Sequence, residues 1–370
     1  MSKLIELEKL GQSVWFDYIR RSLITSGELQ ALIDKGVRGI TSNPAIFEKA
    51  IAGSNDYDEA IKELIQADKS INEIYESLAI GDISMAADML RNIYDSSDGR
   101  DGYVSLEVNP HLADETEKTT AEAIRLFETL NRPNVMIKVP ATPAGIPAIR
   151  ELIGVGVNVN VTLIFGLENY MAVAEAYLAG LEKLLSSGSS VKGGHPAERV
   201  ASVASFFVSR VDSAVDKALE KANAKELQGK IAIANSKIAY AEFKKIFDGS
   251  RWEQLKNKGA RVQRVLWAST GVKNPDYPDT IYVDELIGPD TVNTLPPETV
   301  DNFIDHGRVA ETLTRGVTEA QQQIAKLAEL GIDFNAITQQ LQDDGVVAFA
   351  RPFDALMQSI AEKRERLLAA

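Results

Sequence analysis

Short runs of apolar and β-branched residues alternate along the chain with longer stretches in which apolar residues recur every three or four positions. The short runs are typical of strands and the longer stretches of amphipathic helices, so their alternation predicts β–α units around a parallel sheet. Eight strands are predicted, at residues 13–19, 38–42, 103–108, 134–139, 156–164, 201–210, 264–269 and 291–295. Eight such units favour an α/β fold in which residues 1–370 form a single (β/α)8 TIM barrel, although a doubly wound open sheet would give a similar pattern.

Helical periodicity fills the segments between these strands. The clearest helical patterns lie at residues 26–36, 57–65, 116–130, 168–185, 211–222 and 224–247. Additional helices are expected between strands 2 and 3 and at the C-terminus, where residues 307–369 have a helical pattern with a break near Gly345. The Ser- and Gly-rich segment 186–196 predicts a surface loop.

Several predicted strands carry apolar residues at every second position and polar residues between them. Because successive side chains point to opposite faces of a strand, this alternation separates an apolar face from a polar one. The polar face comprises Asp17, Ser105, Glu107, Asn109, Lys138, Asn158, Asn160, Thr162 and Ser205, with Arg210 and Ser269 at strand ends. An antiparallel sheet with one solvated face would also alternate, but in a barrel these groups would converge near the carboxyl ends of the strands, where active sites form.

Lys138 is the candidate nucleophile of this set. A lysine amine is nucleophilic only when it is neutral, which an apolar environment or a nearby cation favours. Lys138 lies between Ile137 and Val139, which supply such an environment. The alternative is a structural salt bridge between Lys138 and Glu107 or Asp17.

The other polar residues supply groups that Schiff-base chemistry on a sugar phosphate requires. Two carboxylates at different positions, Asp17 and Glu107, can divide the proton transfers between them. Candidate ligands for the sugar hydroxyls and the phosphate are Asn43, Asn160, Arg210, Ser269 and Lys273.

The composition excludes several other kinds of site. The chain has no cysteine, which removes disulfides, thiolate metal sites and cysteine nucleophiles. The three histidines, His111, His195 and His306, are far apart in sequence, so no metal site is predicted. No strand is followed by a glycine-rich phosphate-binding motif, and no nucleotide or other cofactor is expected.

Charge and hydropathy narrow the choice of partners. The formal net charge is −13, without a dense cluster of Lys and Arg along the fold, so we expect no nucleic-acid partner. No apolar run approaches the ~18 residues that span a bilayer, and the first residues lack the apolar core of a secretory signal. We therefore expect a cytoplasmic protein without a membrane partner, either a monomer or a homodimer.

The chain resembles the transaldolase family over essentially its full length. The matching motifs, in order along the chain, are VWFDYI, GITSNPAIF, VSLEVNP, MIKVPAT, VNVNVTLIF, ASFFVSRVD and LWASTGVKN. The resemblance implies a barrel enzyme of the pentose phosphate pathway that needs no cofactor. It would move a dihydroxyacetone unit between sedoheptulose 7-phosphate or fructose 6-phosphate and glyceraldehyde 3-phosphate or erythrose 4-phosphate.

The resemblance also implies roles for individual residues. Lys138 in MIKVPAT matches the Schiff-base lysine, and Asp17 in VWFD matches the acid/base that takes the proton from the C4 hydroxyl. Glu107 matches the carboxylate that works with a water, and Thr162 the residue that helps to hold this water. The implied substrate-binding residues are Asn43, Asn160, Ser205, Phe207, Arg210, Ser269 and, with a weaker motif match, Lys273.

Two rival functions stay open at this point. A fructose-6-phosphate aldolase of the same superfamily would release free dihydroxyacetone, but such chains are shorter and usually carry Gln and Tyr where this chain has Glu107 and Phe207. An inert barrel that only binds sugar phosphates would be expected to lose Lys138 or Asp17, and both are present.

Overall fold

The computed structural model describes residues 2–369 and confirms the predicted barrel. Each strand pairs in parallel with its neighbour in chain order, and the last strand closes the ring against the first. The strands are β1 (Gln12–Phe16), β2 (Val37–Ile40), β3 (Tyr103–Glu107), β4 (Val135–Pro140), β5 (Val159–Ile164), β6 (Ser202–Phe207), β7 (Arg264–Ala268) and β8 (Thr291–Leu295).

Helices surround this barrel and connect its strands. They are α1 (Lys3–Lys9), α2 (Arg21–Thr25), α3 (Glu28–Lys35), α4 (Pro44–Ala52), α5 (Asp58–Gln66), α6 (Ile71–Met89), α7 (Arg91–Ser96), α8 (Thr116–Leu130), α9 (Gly145–Gly154), α10 (Leu167–Ser187), α11 (Ser209–Lys221), α12 (Ile231–Ile246), α13 (Ser250–Lys256), α14 (Ile281–Asp284), α15 (Pro297–His306), α16 (Val317–Glu329) and α17 (Phe334–Ala369), with short 3-10 helices at Pro110–Leu112 and Lys225–Leu227. The group α4 to α7 between β2 and β3, and the pair α16 and α17, confirm the predicted additional helices.

Several predicted boundaries are wrong by a few residues. The predicted strands 13–19 and 201–210 end at Phe16 and Phe207 in the structure. The predicted strands were too long because they included the apolar residues Ile19 and Val208. Both side chains are buried, but they lie beyond the carboxyl ends of β1 and β6. The predicted helix 224–247 is divided because Gly229 adopts a left-handed conformation (φ 71°) before α12 begins.

The predicted break near Gly345 is also wrong, since α17 continues through this residue. A glycine inside a helix costs roughly 1 kcal/mol relative to alanine, which is why the sequence indicated an end there. In the structure a Cβ at Gly345 would lie 2.9 Å from Cδ2 of Leu163 on β5. The glycine therefore permits close packing of α17 on the barrel, and this tertiary packing outweighs the weak helix propensity.

The segment 186–196 is confirmed as mainly a surface loop. Helix α10 ends at Ser187, and the residues that follow are largely exposed and lack helix or strand. This loop lies between the end of α10 and the start of β6, which is the amino-terminal side of the barrel.

Polar side chains close the amino-terminal end of the barrel. Arg264 at the start of β7 forms a buried ion pair with Asp101 at 3.1 Å. Ser13 donates to Asp101 at 2.7 Å, and the indole of Trp15 donates to the same carboxylate at 3.2 Å. Because these groups bond to one another, the cluster has a structural character, whereas active sites of such barrels form at the opposite, carboxyl-terminal end.

Candidate active site

The central row of the site comes from three neighbouring strands. Glu107 on β3 is in register with Lys138 on β4, and Lys138 is in register with Asn160 on β5. All three residues are buried. Glu107 is the last residue of β3 and Lys138 lies in the second half of β4, whereas Asn160 is the second residue of β5. Lys138 lies on the inner face that the alternation along β4 predicts.

Lys138 and Glu107 are neighbours, but they do not form a tight salt bridge. The Lys138 Nζ lies 3.8 Å from Oε2 of Glu107, which is longer than a hydrogen bond. The amine donates instead to the backbone carbonyl of Ser42 at 3.1 Å. Lys138 and Glu107, for which the sequence left open a salt bridge or a reactive site, are thus adjacent without a direct hydrogen bond.

Burial also changes the acidity of the Glu107 carboxyl group. Burial raises its pKa to about 7, while the positive charge of Lys138 acts in the opposite direction. Its Oε2 atom is buried and has no hydrogen-bond partner among residues 2–369. A carboxyl group with this pKa can both bind and release a proton near neutral pH, as a general acid or base requires.

Asp17 lies immediately beyond β1, three strands from β4 around the barrel. The Thr41 hydroxyl donates to its Oδ1 at 2.7 Å, and Thr41 is in turn hydrogen-bonded to Thr294 at 2.6 Å. Desolvation raises the pKa of the Asp17 carboxyl, and the charge of Lys138 partly offsets this effect. Asp17 is therefore held in a fixed orientation near the lysine.

A cavity of about 90 Å³ joins most of the predicted residues at the carboxyl end of the barrel. The predicted residues that line it are Asp17, Asn43, Lys138, Thr162, Ser205, Phe207, Arg210 and Ser269. Asn43 also caps α4, because its side chain accepts from the backbone N–H of Ile46 at 3.0 Å. The hydroxyl of Thr162 is buried and lacks a protein partner among the described residues, so it is available to a bound molecule.

Arg210 enters the cavity from the first turn of α11 rather than from β6. Within the described part of the chain its guanidinium forms no salt bridge, although it lies 5.5 Å from the ring centre of Phe207. On the neighbouring loop, Ser269 has a left-handed backbone (φ 56°) and its hydroxyl is 3.0 Å from that of Ser209. This corner of the cavity combines a half-buried cation with hydroxyl groups, a combination suited to a phosphate.

Three predicted residues lie outside the lining of this cavity. Asn160 is fully buried beneath it, where it accepts from Ser205 at 2.7 Å and donates to Ser105 at 3.0 Å. Glu107 lines an adjoining cavity on the side of α6 and α8. Lys273 is exposed beyond the barrel mouth and does not line the cavity, although its charge lowers the pKa of Asp17.

Sequence reasoning missed other residues that line the cavity. Thr41 and Thr294 belong to predicted strands, and parity applied to those strands would have identified them. Phe349 comes from α17, more than two hundred residues away from Lys138 in sequence, and no local pattern indicated its position.

The fold and the cavity together define a class of protein. A buried lysine stands beside two carboxylates with raised pKa values, and a cation lies at the rim of the same cavity. Residues 2–369 contain no group of His, Asp or Glu side chains arranged to hold a metal ion. Among the same residues, no helix has both the length and the apolar character needed to cross a membrane. A buried amine, nearby carboxylates and a rim cation are groups that a barrel enzyme could use on an anionic substrate.

Comparison with known proteins identifies the family. The sequence pattern of the transaldolase/fructose-6-phosphate aldolase family matches residues 14–360, and the chain belongs to this family. A transaldolase from Trichodesmium erythraeum is 47% identical over 98% of both chains. Transaldolase 1 from Streptomyces avermitilis is 47% identical over 98% of this chain and 95% of its own length. The enzyme is accordingly a transferase of the transaldolase type, and the aldolase alternative is not favoured.

Proposed function

We propose that the enzyme transfers a dihydroxyacetone unit between sugar phosphates of the pentose phosphate pathway through a Schiff base on Lys138. The neutral amine attacks the C2 carbonyl of sedoheptulose 7-phosphate or fructose 6-phosphate, and water leaves. Asp17 then removes the proton from the C4 hydroxyl, and the C3–C4 bond breaks. The bonding electrons remain on the three-carbon unit, with the protonated imine as their sink, and the aldose phosphate departs.

Transfer is completed in the reverse sense with a second aldehyde. Glyceraldehyde 3-phosphate or erythrose 4-phosphate binds, a new carbon–carbon bond forms, and Asp17 returns its proton to the resulting alkoxide. Water then releases the new ketose phosphate from Lys138. Glu107 serves as the acid and base for the water steps, with Thr162 holding the water.

The proximity of three groups in one small cavity carries this proposal. Lys138, Asp17 and Arg210 all line it, so an imine, a C4 hydroxyl and a terminal phosphate can be held together. The pKa of Glu107, raised to about 7 by burial, supports proton exchange with water beside the lysine. Ser205 and Asn43 supply polar contacts for the dihydroxyacetone portion, with Asn160 positioning Ser205.

An assay with and without acceptor tests the proposed function. Fructose 6-phosphate is supplied first alone and then with erythrose 4-phosphate, and both sedoheptulose 7-phosphate and dihydroxyacetone are measured. We expect sedoheptulose 7-phosphate only when the acceptor is present, with little free dihydroxyacetone. Release of dihydroxyacetone at a similar rate without acceptor would assign the lyase reaction, and substrate binding without any product would assign an inert barrel.

Replacing Arg210 with alanine should weaken binding of phosphorylated substrates. A hydrogen bond to a charged group contributes about 1.5–3 kcal/mol, which corresponds to a rise in KM of about 10- to 150-fold. Steady-state kinetics with fructose 6-phosphate and erythrose 4-phosphate measure this change. Lys221→Ala removes a cation from the exposed end of the same helix and is the control; equal kinetics for Arg210→Ala and the wild type would reject the phosphate assignment.

Other aspects of the proposal concern the chain as a whole. We propose that residues 1–370 act as one catalytic domain, because the cavity draws residues from the strands, the loops and the C-terminal helix. Location in the cytoplasm stays a prediction.

A further inference from the structure

The C-terminal helix α17 lies across the mouth of the barrel. Its 36 residues correspond to about 54 Å along the helix axis, and buried residues recur every three or four positions along one face. Near its start, the Gln342 amide donates to the backbone carbonyls of Ala141 after β4 and Leu163 in β5, at 2.9 and 3.0 Å. Near its end, Lys363 donates to Asp58 of α5 at 2.7 Å.

Further contacts fix the helix between these two ends. Gly345 permits close approach to Leu163, and Asp354 is paired with His111 at 2.7 Å beyond the end of β3. Phe353 packs edge-to-face against Tyr75 of α6, with ring centres 5.4 Å apart. Because both ends and the middle are attached to different parts of the barrel, α17 is a fixed cover and not a free tail.

This cover inserts one aromatic ring into the candidate active site. Among the described residues that line the cavity, Phe349 is the one that belongs to α17. Its ring centre lies 5.6 Å from Nζ of Lys138, and the residue is 7% exposed. The ring therefore separates the reactive nitrogen from solvent on this side of the barrel.

The position of the Phe349 ring is important because the three-carbon intermediate on Lys138 can react in two ways. In transfer, its C3 carbon bonds to the acceptor aldehyde. In hydrolysis, C3 takes a proton instead, water adds to the imine carbon, and free dihydroxyacetone leaves as the amine of Lys138 is restored. Both routes balance without an oxidant or reductant, and they differ in the access of water and protons to the intermediate.

We propose that Phe349 is a specificity-determining residue that keeps bulk water, as distinct from the water assigned to Glu107 and Thr162, away from the intermediate on Lys138 and so favours transfer over hydrolysis. A phenyl ring has no polar atom that could hold a water or deliver a proton beside the imine. Its position is imposed by the attachment of α17 on both sides, through Gln342 and Asp354. This inference rests on the proposed function and assigns to the C-terminal helix a part in selecting the reaction.

The test compares two rates in purified Phe349→Ala. One is the release of dihydroxyacetone from fructose 6-phosphate alone, and the other is the transfer to erythrose 4-phosphate. We expect the ratio of release to transfer to rise at least about fivefold over wild type, as water enters the space left by the ring. Phe349→Leu, which retains apolar bulk, should give a smaller rise of about twofold on the same physical ground.

Leu356→Ala is the matched control. Leu356 is fully buried two turns further along the same face of α17 and does not line the cavity, so Leu356→Ala removes buried apolar bulk from this helix while the Phe349 ring and the contacts of Gln342 and Asp354 remain. This variant should keep the wild-type ratio even if the protein becomes less stable. An equal rise in Leu356→Ala and Phe349→Ala would overturn the assignment to the ring.

The remaining outcomes also decide the matter. An unchanged ratio in folded Phe349→Ala would overturn the proposal, and if that variant fails to fold, an unchanged ratio in Phe349→Leu would do the same. A wild-type enzyme without any transfer would instead overturn the proposed function. The two failures are therefore distinguishable in one experiment.

Discussion

Lys138→Ala should lower kcat/KM by about 10⁴-fold or more, because losing the covalent nucleophile removes the reaction route and not only a contact. The fold should persist. The burial that raises the pKa of Glu107 to about 7 is opposed by Lys138, so without the lysine this carboxyl can take up a proton and remain buried as a neutral group. Steady-state transfer kinetics and thermal unfolding measure the two effects.

A second buried lysine provides the control for this variant. Lys237 on α12 is 9% exposed and lies 3.2 Å from Glu285, away from the cavity. Lys237→Ala removes a similar side chain beside a carboxylate, so it should lower stability while leaving transfer near the wild-type rate. Substantial transfer by Lys138→Ala would mean that another group forms the intermediate.

Asp17→Asn should lower kcat by about 10²- to 10⁴-fold, the usual contribution of a positioned acid or base. Asparagine keeps the shape of the side chain and an oxygen that can accept from Thr41, but it cannot take the proton of the C4 hydroxyl. Donor binding and imine formation should persist, while cleavage of the C3–C4 bond becomes slow. Rapid-quench measurement of aldose phosphate release isolates this step.

Asp82→Asn is the corresponding control at another buried carboxylate. Asp82 on α6 accepts from Arg21 and Tyr57 and does not line the cavity. Its substitution should affect stability more than turnover. Cleavage at the wild-type rate in Asp17→Asn would show that a different group removes the proton.

The sequence predicted the barrel and its central row because both depend on short-range patterns. Alternation along a strand is a local property, and it correctly placed Lys138 and Thr162 on the inner face. The same pattern predicted Arg210 at the end of a strand, and the motif resemblance agreed, but the structure puts this residue in the first turn of a helix. Because all strands of a parallel barrel end on one side, residues at the strand ends come together, and the sequence pattern is enough to predict this.

Features that depend on long-range packing were beyond this reasoning. Phe349 and Gln342 reach the site only because α17 crosses the barrel mouth, and the glycine that permits this crossing was interpreted as a break. Asn160 matched a substrate-binding position, yet it lies below the cavity and holds Ser205. Parity distinguishes the two faces of a strand, but it does not give the depth of a side chain along the barrel axis.

The most direct test of the central claim is to trap the intermediate on the lysine. The enzyme is incubated with fructose 6-phosphate and borohydride, digested, and mapped by mass spectrometry, with Lys138→Ala treated in parallel. The account predicts a reduced dihydroxyacetone adduct on the peptide that contains Lys138, and no adduct in the variant. An adduct on another lysine, or none in the wild type, would contradict it.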